Sequence, residues 1–194
     1  MSRFLCLLMF LGLLVACSNI ERRLENIPIV ISPPESQAVD IDLVINNTQA
    51  EVQKVLPDAY LVFFSFVGQC GNLPKLHGEV RLDFARVQRS LFGERTLFAE
   101  ATVRTDNHTL SFSVKDETEH YPNIEPLVLN GKDIPEIASI LHAYLDSTHR
   151  CTDTVVLTRV RIETPWLARC GPPEKVFLEC LEIDPESGKV TELK

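Results

Sequence analysis

The stretch RTLFAEATVRTDNHTLSFSVK, residues 95–115, decides the fold. Apolar and polar residues alternate through both of its halves, and the turn-forming pair Asp106 and Asn107 separates the halves. Alternation with a period of two is typical of a strand with one buried and one solvated face, and a short polar turn between two such segments is typical of a β-hairpin. We therefore predict two neighbouring antiparallel strands, over 95–104 and 108–115.

The segments around this hairpin extend the antiparallel pattern. The run AYLVFFSFV at 59–67 is apolar on both faces, which is typical of a central strand that is covered on both sides. Its alternation assigns one face to Tyr60, Val62, Phe64 and Phe66 and the other to Leu61, Phe63 and Val67. Further strands are expected at 39–43, 79–84, 154–163, 175–184 and 190–193.

Two segments carry the helical period of 3.6 residues. The longer one begins at Asp133, a good N-cap residue, and has Pro135 in its first turn. Its apolar positions follow the i, i+3, i+4, i+7 spacing and are Ile134, Ile137, Ala138, Leu141, Tyr144 and Leu145. A shorter helix is predicted over 48–56, with Thr48 as its N-cap and Pro57 after its end.

These elements predict an α+β fold in which antiparallel sheet packs against two short helices. A helix followed by antiparallel strands occurs at 48–115 and again at 133–194. Two interpretations stay open, a tandem helix-plus-meander repeat and a single α+β domain whose order only resembles a repeat. The predicted organisation is a signal segment at 1–16, a tether at 17–38, a first α+β unit at 39–132 and a second unit at 133–194.

The composition limits the classes of function. The chain has 194 residues, with 19 Lys or Arg, 27 Asp or Glu, a formal net charge of −8 and 45% hydrophobic residues. These values are ordinary for a globular protein and differ from those of collagenous or disordered chains. A general nucleic-acid binder normally carries net positive charge, so no nucleic-acid partner is expected.

The N-terminal segment is typical of an exported bacterial protein. Arg3 precedes an unbroken apolar run at 4–16, which is shorter than the roughly 20 residues that a membrane-spanning helix needs. The run ends in Leu14-Val15-Ala16-Cys17, which resembles the lipobox of bacterial lipoproteins. This resemblance implies cleavage before Cys17, a diacylglyceryl group on its thiol and acylation of the new terminal amine. The alternative is an ordinary signal peptide that is cleaved at the same bond.

The lipobox resemblance also implies a place in the cell envelope. By the sorting rule of such lipoproteins, Ser18 after the cysteine implies the outer membrane, with the protein facing the periplasm. In a bacterium with a single membrane, the anchor would lie on the outer face of that membrane. Removal of residues 1–16 leaves 18 basic and 27 acidic residues, a charge of −9. An acidic body disfavours docking on anionic headgroups, so we expect the lipid to hold the protein to the membrane.

Four cysteines stay in the exported chain once Cys6 has left with the signal segment and Cys17 has been lipidated. They are Cys70, Cys151, Cys170 and Cys180. An even number of cysteines in an oxidising compartment predicts two disulfides, and the sequence leaves all three pairings open. Buried thiols and a metal site are the alternatives, but the sequence has no C-x-x-C and no zinc-ligand spacing. No metal or other cofactor is expected.

The last 20 residues, KVFLECLEIDPESGKVTELK, contain a strand that ends at Ile183 and Asp184 and a turn formed by SGKV at 187–190. This pattern resembles the C-terminal hairpin of PepSY domains, and the helix and strands from residue 133 onward follow that family's usual order. The resemblance implies an extracytoplasmic α+β module that binds or restrains peptidases and has no catalytic residues to carry over. Turn chemistry predicts that Asp184 hydrogen-bonds its own turn.

Motifs for catalysis are absent from the sequence. It contains no H-E-x-x-H, facial triad, G-x-S-x-G elbow, phosphate loop or dinucleotide-binding glycine pattern. His142 and His149 are expected to pack at the surface or at the edge of the core. Trp166 is either an exposed binding residue or a packing residue. The acidic residues are expected on solvated faces and in turns, and they include Asp116, Glu117, Glu119, Glu163, Glu179, Glu182, Asp184 and Glu186.

These features predict a non-enzymatic, lipid-anchored envelope protein that binds a protein or peptide partner, with an edge strand as one route. One alternative is an envelope hydrolase with paired carboxylates, which requires Glu163, Glu179 and a loop acid to meet in one cleft. Another alternative is a binder of a small lipophilic ligand. It requires a cavity between the second helix and the side chains of Phe64 and Phe66.

Overall fold

The computed structural model of the protein describes residues 22–33, 36, 38–91, 93–116, 124–127, 133–150, 154–159, 165–171 and 179–193. Within these residues, the strands are β1 (Arg22–Pro28), β2 (Tyr60–Gly68), β3 (Gly78–Ser90), β4 (Gly93–Arg104), β5 (Thr109–Asp116), β6 (Thr154–Arg159), β7 (Trp166–Gly171), β8 (Glu179–Ile183) and β9 (Val190–Glu192). The helices are α1 (Ile41–Gln53), α2 (Asp133–Ser147) and a 3-10 helix (Cys70–Lys75).

All of these strands belong to one sheet, in the order β1-β5-β4-β3-β2-β6-β7-β8-β9. Every neighbouring pair is antiparallel. β2 and β6 lie side by side in the middle, β3 to β5 follow β2 outward on one side, and β7 to β9 follow β6 outward on the other. β1 pairs with β5 and forms one edge. The α+β prediction is confirmed at this level, and the sheet is the larger part of the fold.

Residues 95–115 form the predicted hairpin. β4 and β5 pair from Leu97 opposite Asp116 to Arg104 opposite Thr109. The alternation also has the predicted effect, because the apolar positions of both strands are buried on one face. These positions are Ala99, Ala101 and Val103 in β4 and Leu110, Phe112 and Val114 in β5.

Both helices cover the same face of the sheet. Side chains of α1, α2 and strands β2 to β8 join in a single apolar core on this face. The largest side chains that are completely buried there include Trp166, Phe64, Phe66, Phe84, Leu82 and Leu141. Burial of one such side chain favours folding by about 1.5–3 kcal/mol, so this helix-covered face supplies most of the apolar stabilisation.

Helix α2 begins where the sequence predicted and has the predicted buried face. Ile134, Ile137, Ala138, Leu141 and Leu145 are buried, with exposures between 0% and 2%. The far end of the helix is joined to β9, because Glu192 Oε1 accepts hydrogen bonds from Tyr144 Oη at 3.0 Å and from Arg150 Nη1 at 2.7 Å.

Helix α1 begins earlier than the sequence predicted. The strand expected at 39–43 and the N-cap expected at Thr48 are both wrong. Asp40 is the N-cap, and its Oδ1 accepts a hydrogen bond from the Leu43 N–H at 3.0 Å. The buried residues of α1 lie on one helical face and are Ile41, Val44, Ile45, Thr48 and Val52. The helical period over 13 residues therefore overrides the short alternation of residues 39–43.

Strand β2 contains a bulge that changes which side chains share a face. Its register with β3 shifts between Leu61 and Phe63. Leu61 and Phe64 consequently both reach the helix-covered core, while Val62 and Phe63 lie on the opposite face. The predicted faces are correct for Phe64 and the residues after it, and they are wrong for Tyr60, Leu61 and Val62, because strict alternation cannot include an extra residue.

Residues 22–33, part of the predicted tether, belong to the folded domain. They supply β1, which is irregular because its register shifts between Leu24 and Ile27. Ile29 and Ile31 follow the strand and are buried in the core, with exposures of 7% and 2%. The prediction of a tether over 17–38 is therefore wrong for these residues. Cys17 and the signal segment lie outside the described residues.

Strand β7 lies where the sequence predicted a connection. Trp166 and Ala168 are completely buried in the core, and the residues between and after them are partly exposed, as in a half-buried strand. Turn-forming residues follow directly at 171–173, and they obscure so short a strand in the sequence. β6 and β8 lie within the predicted ranges, whereas residues 160–164 and 172–178 lie outside the described part of the chain.

Candidate functional site

The face of the sheet opposite the helices is polar and is the largest candidate surface. The register of the strands places one row of side chains across seven strands on this open face. The row consists of Ser111, Thr102, Arg81, Ser65, Thr158, Leu167 and Glu182, from β5 to β8. Ser65 Oγ and Thr158 Oγ1 are hydrogen-bonded at 3.3 Å, across the junction of β2 and β6. Four of the seven residues carry hydroxyl groups; Ser65 is buried, with an exposure of 5%, whereas Thr102, Ser111 and Thr158 are partly exposed and can donate and accept hydrogen bonds.

Arg81 is the centre of a charged network on the open face. Its guanidinium donates to Asp83 through Nε at 3.2 Å and Nη2 at 3.4 Å, and Nη2 lies 3.8 Å from Glu100 Oε1. Glu100 Oε2 in turn accepts from Lys115 Nζ at 3.2 Å. Partial burial alone would lower the pKa of Arg81, but the carboxylates of Asp83 and Glu100 raise it. The network therefore spans β3, β4 and β5, and it holds the charged guanidinium of Arg81 in one orientation.

The bulge in β2 brings an aromatic ring to this network. Phe63 lies on the open face, and the Arg81 Cζ atom is 5.7 Å from the centroid of its ring. This distance is within the range of cation–π interactions. Arginine and aromatic residues are the types that most often dominate the binding energy of protein interfaces. Arg81 and Phe63 are therefore the candidate anchors of a binding surface.

A small apolar cluster adjoins Phe63 on the same face. Val62, Ala85 and Phe98 are buried in it, with Ile124 packed against them. Tyr60 Oη donates to the Ile124 carbonyl at 3.2 Å. Burial raises the pKa of Tyr60, and the charge of Glu94 raises it further. Ile124 therefore closes off part of the open face near the start of β2.

A cavity of about 550 Å³ lies apart from the open face, beside the segment that follows β1. His77, His108 and Lys75 line it together with Ser32 and apolar side chains. No carboxylate is among the lining residues that the structure describes. In the described part of the chain, His, Cys, Asp and Glu side chains form no group of three that could hold a metal ion. The cavity has polar walls, and it is not the space between α2 and Phe64 that a lipophilic ligand requires.

The two acids named for hydrolysis are not among the described side chains, so that alternative stays a prediction. Glu163 and the side chain of Glu179 lie outside them. Asp83 and Glu100 approach the same cation, but Arg81 bridges them and compensates their charge. Asp184 is engaged in its own turn, as predicted, and its Oδ1 accepts from the Ser187 N–H at 2.6 Å and the Glu186 N–H at 3.1 Å.

The predicted cysteine residues are only partly described. Cys70 is disulfide-bonded and buried, with an exposure of 2%. Cys170 is half-buried on β7. Cys17, Cys151 and the side chain of Cys180 lie outside the described residues. The pairing of the cysteines and the lipidation of Cys17 therefore stay predictions.

Trp166 is a packing residue. It is completely buried, and its ring meets that of Phe64 edge to face at 5.7 Å. The Arg159 Cζ atom lies 5.1 Å from the centroid of the indole ring. The interpretation of Trp166 as an exposed binding residue is therefore wrong. Of the two histidines considered for metal binding, His142 is half-buried on α2 and His149 is exposed after its end.

The sequence analysis did not single out Arg81, Phe63, Glu100 and Lys115. Its alternation already placed Arg81 on a solvated face, and the turn at 106–107 fixes the register that aligns Glu100 with the neighbouring strands. Opposite charges on adjacent strands could therefore have predicted the network of Arg81, Glu100 and Lys115. The bulge that turns Phe63 toward Arg81 left no such signal.

No protein-family profile, curated protein or solved structure matches the chain. The described helices are all too short or too polar to cross a lipid bilayer. The geometry of the open face is thus the main guide to function.

Proposed function

We propose that this protein is a non-enzymatic, lipid-anchored protein of the bacterial cell envelope that binds another protein on the open face of its sheet. The observation that carries the proposal is Arg81, which is held by Asp83 and Glu100 and lies over the ring of Phe63 on that face. A positioned arginine beside an aromatic ring loses little side-chain entropy on binding, which favours its use as an anchor.

The lipid anchor rests on the lipobox resemblance of residues 14–17. Cys17 lies only five residues before Arg22, where β1 begins. Five residues of extended chain span at most about 18 Å. An acylated Cys17 therefore holds the sheet close to the bilayer, at the outer membrane with the protein facing the periplasm, or on the outer face of a single membrane.

The dimensions of the open face suit a folded partner. Nine strands at about 4.8 Å spacing extend over roughly 38 Å, and strands of this length measure about 20 Å. The resulting area is comparable to the roughly 800 Å² that each partner buries in a stable complex. A surface that is wide and mainly polar is better suited to a protein surface than to a small ligand.

The edges of the sheet are less suitable for a peptide partner. β1 is interrupted by its register shift and ends in Pro28, and β9 has only three residues. Bulges, prolines and short edge strands all hinder the addition of another strand. We therefore place the partner on the open face rather than at an edge.

The two halves of the fold support a tandem origin. α1 precedes the meander β2 to β5, α2 precedes the meander β6 to β9, and the two meanders join at their first strands. We infer that residues 39–132 and 133–194 are two copies of one helix-plus-meander unit, the second of which resembles PepSY domains. That resemblance makes an envelope peptidase the partner class to test first.

Site-specific photocrosslinking tests this proposal in the native envelope. A crosslinking amino acid at Thr102 or Ser111 on the open face should trap one partner, and the same amino acid at Glu136, an exposed position on α2, should not. Equal crosslinking from Glu136 would place the partner elsewhere and contradict the proposal.

Substitution of Arg81 tests its role as the anchor. Arg81→Ala should weaken the isolated complex by about 2 kcal/mol or more, which is roughly thirty-fold in Kd. Arg150→Ala is the matched control, because Arg150 is similarly exposed and also pairs with an acid, Glu192, but follows the end of α2 on the helix-covered side. An unchanged Kd in Arg81→Ala would exclude Arg81 as the anchor.

A further inference from the structure

The hairpin of β3 and β4 projects beyond the neighbouring described strands β2 and β5. The last residue of β5, Asp116, is level with Leu97, whereas the pairing of β3 with β4 continues to Ser90 opposite Gly93. The tip therefore extends past β5 by several residues. Leu91 lies in the turn at this tip.

Leu91 is an unusual residue for such a turn. Hairpin turns favour Gly, Asn and Asp, because these residues adopt the required backbone angles and are well solvated. Leu91 is 101% exposed, compared with 59% for Val30 and 37% for Leu24, the other large apolar side chains that are exposed in the described part of the chain. Single exposed apolar residues are common on protein surfaces, so it is the place of Leu91 at a projecting tip, and not its exposure alone, that favours contact with an apolar phase.

The residues around the tip are basic, although the chain as a whole is acidic. Between residues 85 and 98 there are three arginines, Arg86, Arg89 and Arg95, and one acid, Glu94. Arg89 and Arg95 are 85% and 72% exposed, although Arg89 pairs with Glu94 at 3.1 Å and Arg95 lies 4.0 Å from Asp116, so the excess positive charge at the tip is small. An apolar residue flanked by exposed arginines is typical of a segment that lies in the interface of an anionic bilayer.

The chain enters the sheet at the same end from which the hairpin projects. Arg22, the first residue of β1, is level with Val114, with Ala99 and with Phe84 across the sheet. From Ala99 to Gly93 the hairpin extends about 20 Å at the usual rise per residue. An acylated Cys17 lies at most about 18 Å from Arg22. The acylated Cys17 can therefore extend about as far beyond this level of the sheet as the tip of the hairpin does.

We propose that the tip of the β3–β4 hairpin, with Leu91 at its end, enters the surface of the bilayer that holds the lipid anchor. This inference rests on the lipid anchor of the proposed function. Two contacts with the membrane fix the tilt of the sheet, and they leave the open face directed along the membrane surface, accessible to a partner in the same envelope.

Fluorescence quenching in reconstituted vesicles tests the contact. The full-length chain, matured and purified from membranes, carries Leu91→Trp and is reconstituted into vesicles of phosphatidylethanolamine and phosphatidylglycerol with brominated acyl chains. Val30→Trp is the matched control, because Val30 is exposed but follows the opposite end of β1. The natural Trp166 is completely buried and contributes the same background to both variants.

We expect bromine to quench the Leu91→Trp emission several-fold more strongly than the Val30→Trp emission. Equal quenching in the two variants overturns the inference. Intact mass measurement of the same samples distinguishes failure of the lipid anchor from failure of the hairpin contact. If the acyl mass on Cys17 is missing, the anchor of the proposed function fails as well. If the acyl mass is present and Leu91→Trp is not quenched, only the membrane contact of the hairpin fails.

Discussion

Asp184 shows how much one exposed side chain contributes to the last turn of the described chain. Its Oδ1 accepts from two backbone N–H groups and from the Ser187 hydroxyl at 2.7 Å, while its own carbonyl accepts from the Gly188 N–H at 2.9 Å. Gly188 has a φ of +68°, in the left-handed region that glycine adopts without strain. These contacts position β9 beside β8. This role was predictable from the sequence, because an aspartate at the start of a turn bonds the backbone that follows it.

The hydrogen bonds of Asp184 predict a change of stability in acid. The backbone N–H of Ser187, then its hydroxyl, lower the pKa of Asp184 below its ordinary value of 3.8. Because the folded state favours the carboxylate, its stabilising contribution is complete above the ordinary pKa and is lost as the pH falls through the lowered one. In Asp184→Ala, we expect faster amide hydrogen exchange at Glu186 and Ser187 near neutral pH and a weaker pH dependence in acid.

Glu186→Ala is the control for this experiment, because Glu186 is an exposed acid in the same turn. NMR measures the amide exchange rates of this turn in both variants. Equal rates in Asp184→Ala and Glu186→Ala would contradict the role of Asp184.

At the scale of elements, the long periodic segments were predictable and the short or irregular ones were not. β4, β5 and α2 carry unbroken periods of 2 and 3.6 and have nearly the predicted limits. α1 was misplaced because Val39, Ile41 and Leu43 alternate by chance at its start. The bulge in β2 was not predictable, because a register shift depends on the pairing partner and leaves no mark in the strand's own sequence. The contact between Arg81 and Phe63 therefore could be recognised only from the structure.

The start of α1 is testable through its two candidate caps. Asp40→Ala removes the acceptor for the Leu43 N–H, so we expect a loss of about 1 kcal/mol in the free energy of unfolding. Thr48→Val should be neutral or stabilising, because the Thr48 hydroxyl is buried and has no hydrogen-bond partner in the described structure. Urea denaturation of the two variants compares them directly. A larger loss of unfolding free energy in Thr48→Val than in Asp40→Ala would indicate that Thr48 is the N-cap, as predicted from the sequence.

At the scale of the molecule, the N-terminal residues belong to the core rather than to a linker. The Ile31 carbonyl accepts a hydrogen bond from the Asp40 N–H at 2.8 Å, and the Ile29 N–H donates to the His108 carbonyl at 3.0 Å. The three prolines around this segment suggested an extended tether. The alternating Ile27, Ile29 and Ile31 were the competing signal, and they place one apolar face against the sheet.

Two neighbouring residues test this assignment. Ile31→Ala should lower the free energy of unfolding by about 2–5 kcal/mol, because it leaves a cavity in the core. Val30→Ala should change it by less than about 0.5 kcal/mol, because Val30 is 59% exposed. Chemical denaturation of both variants is the measurement. Equal stability of the two would mean that residues 29–31 act as a linker after all.

The position of β2 at the centre of the sheet has a consequence for the newborn chain. β3, β4 and β5 can pair with β2 and with one another as they emerge, but the other side of β2 is completed only by β6, which starts at Thr154. Pairing across so long an interval is slow, and an open apolar strand attracts other chains in the meantime. A chain that ends before Thr154 therefore leaves one side of β2 unpaired and is prone to aggregate.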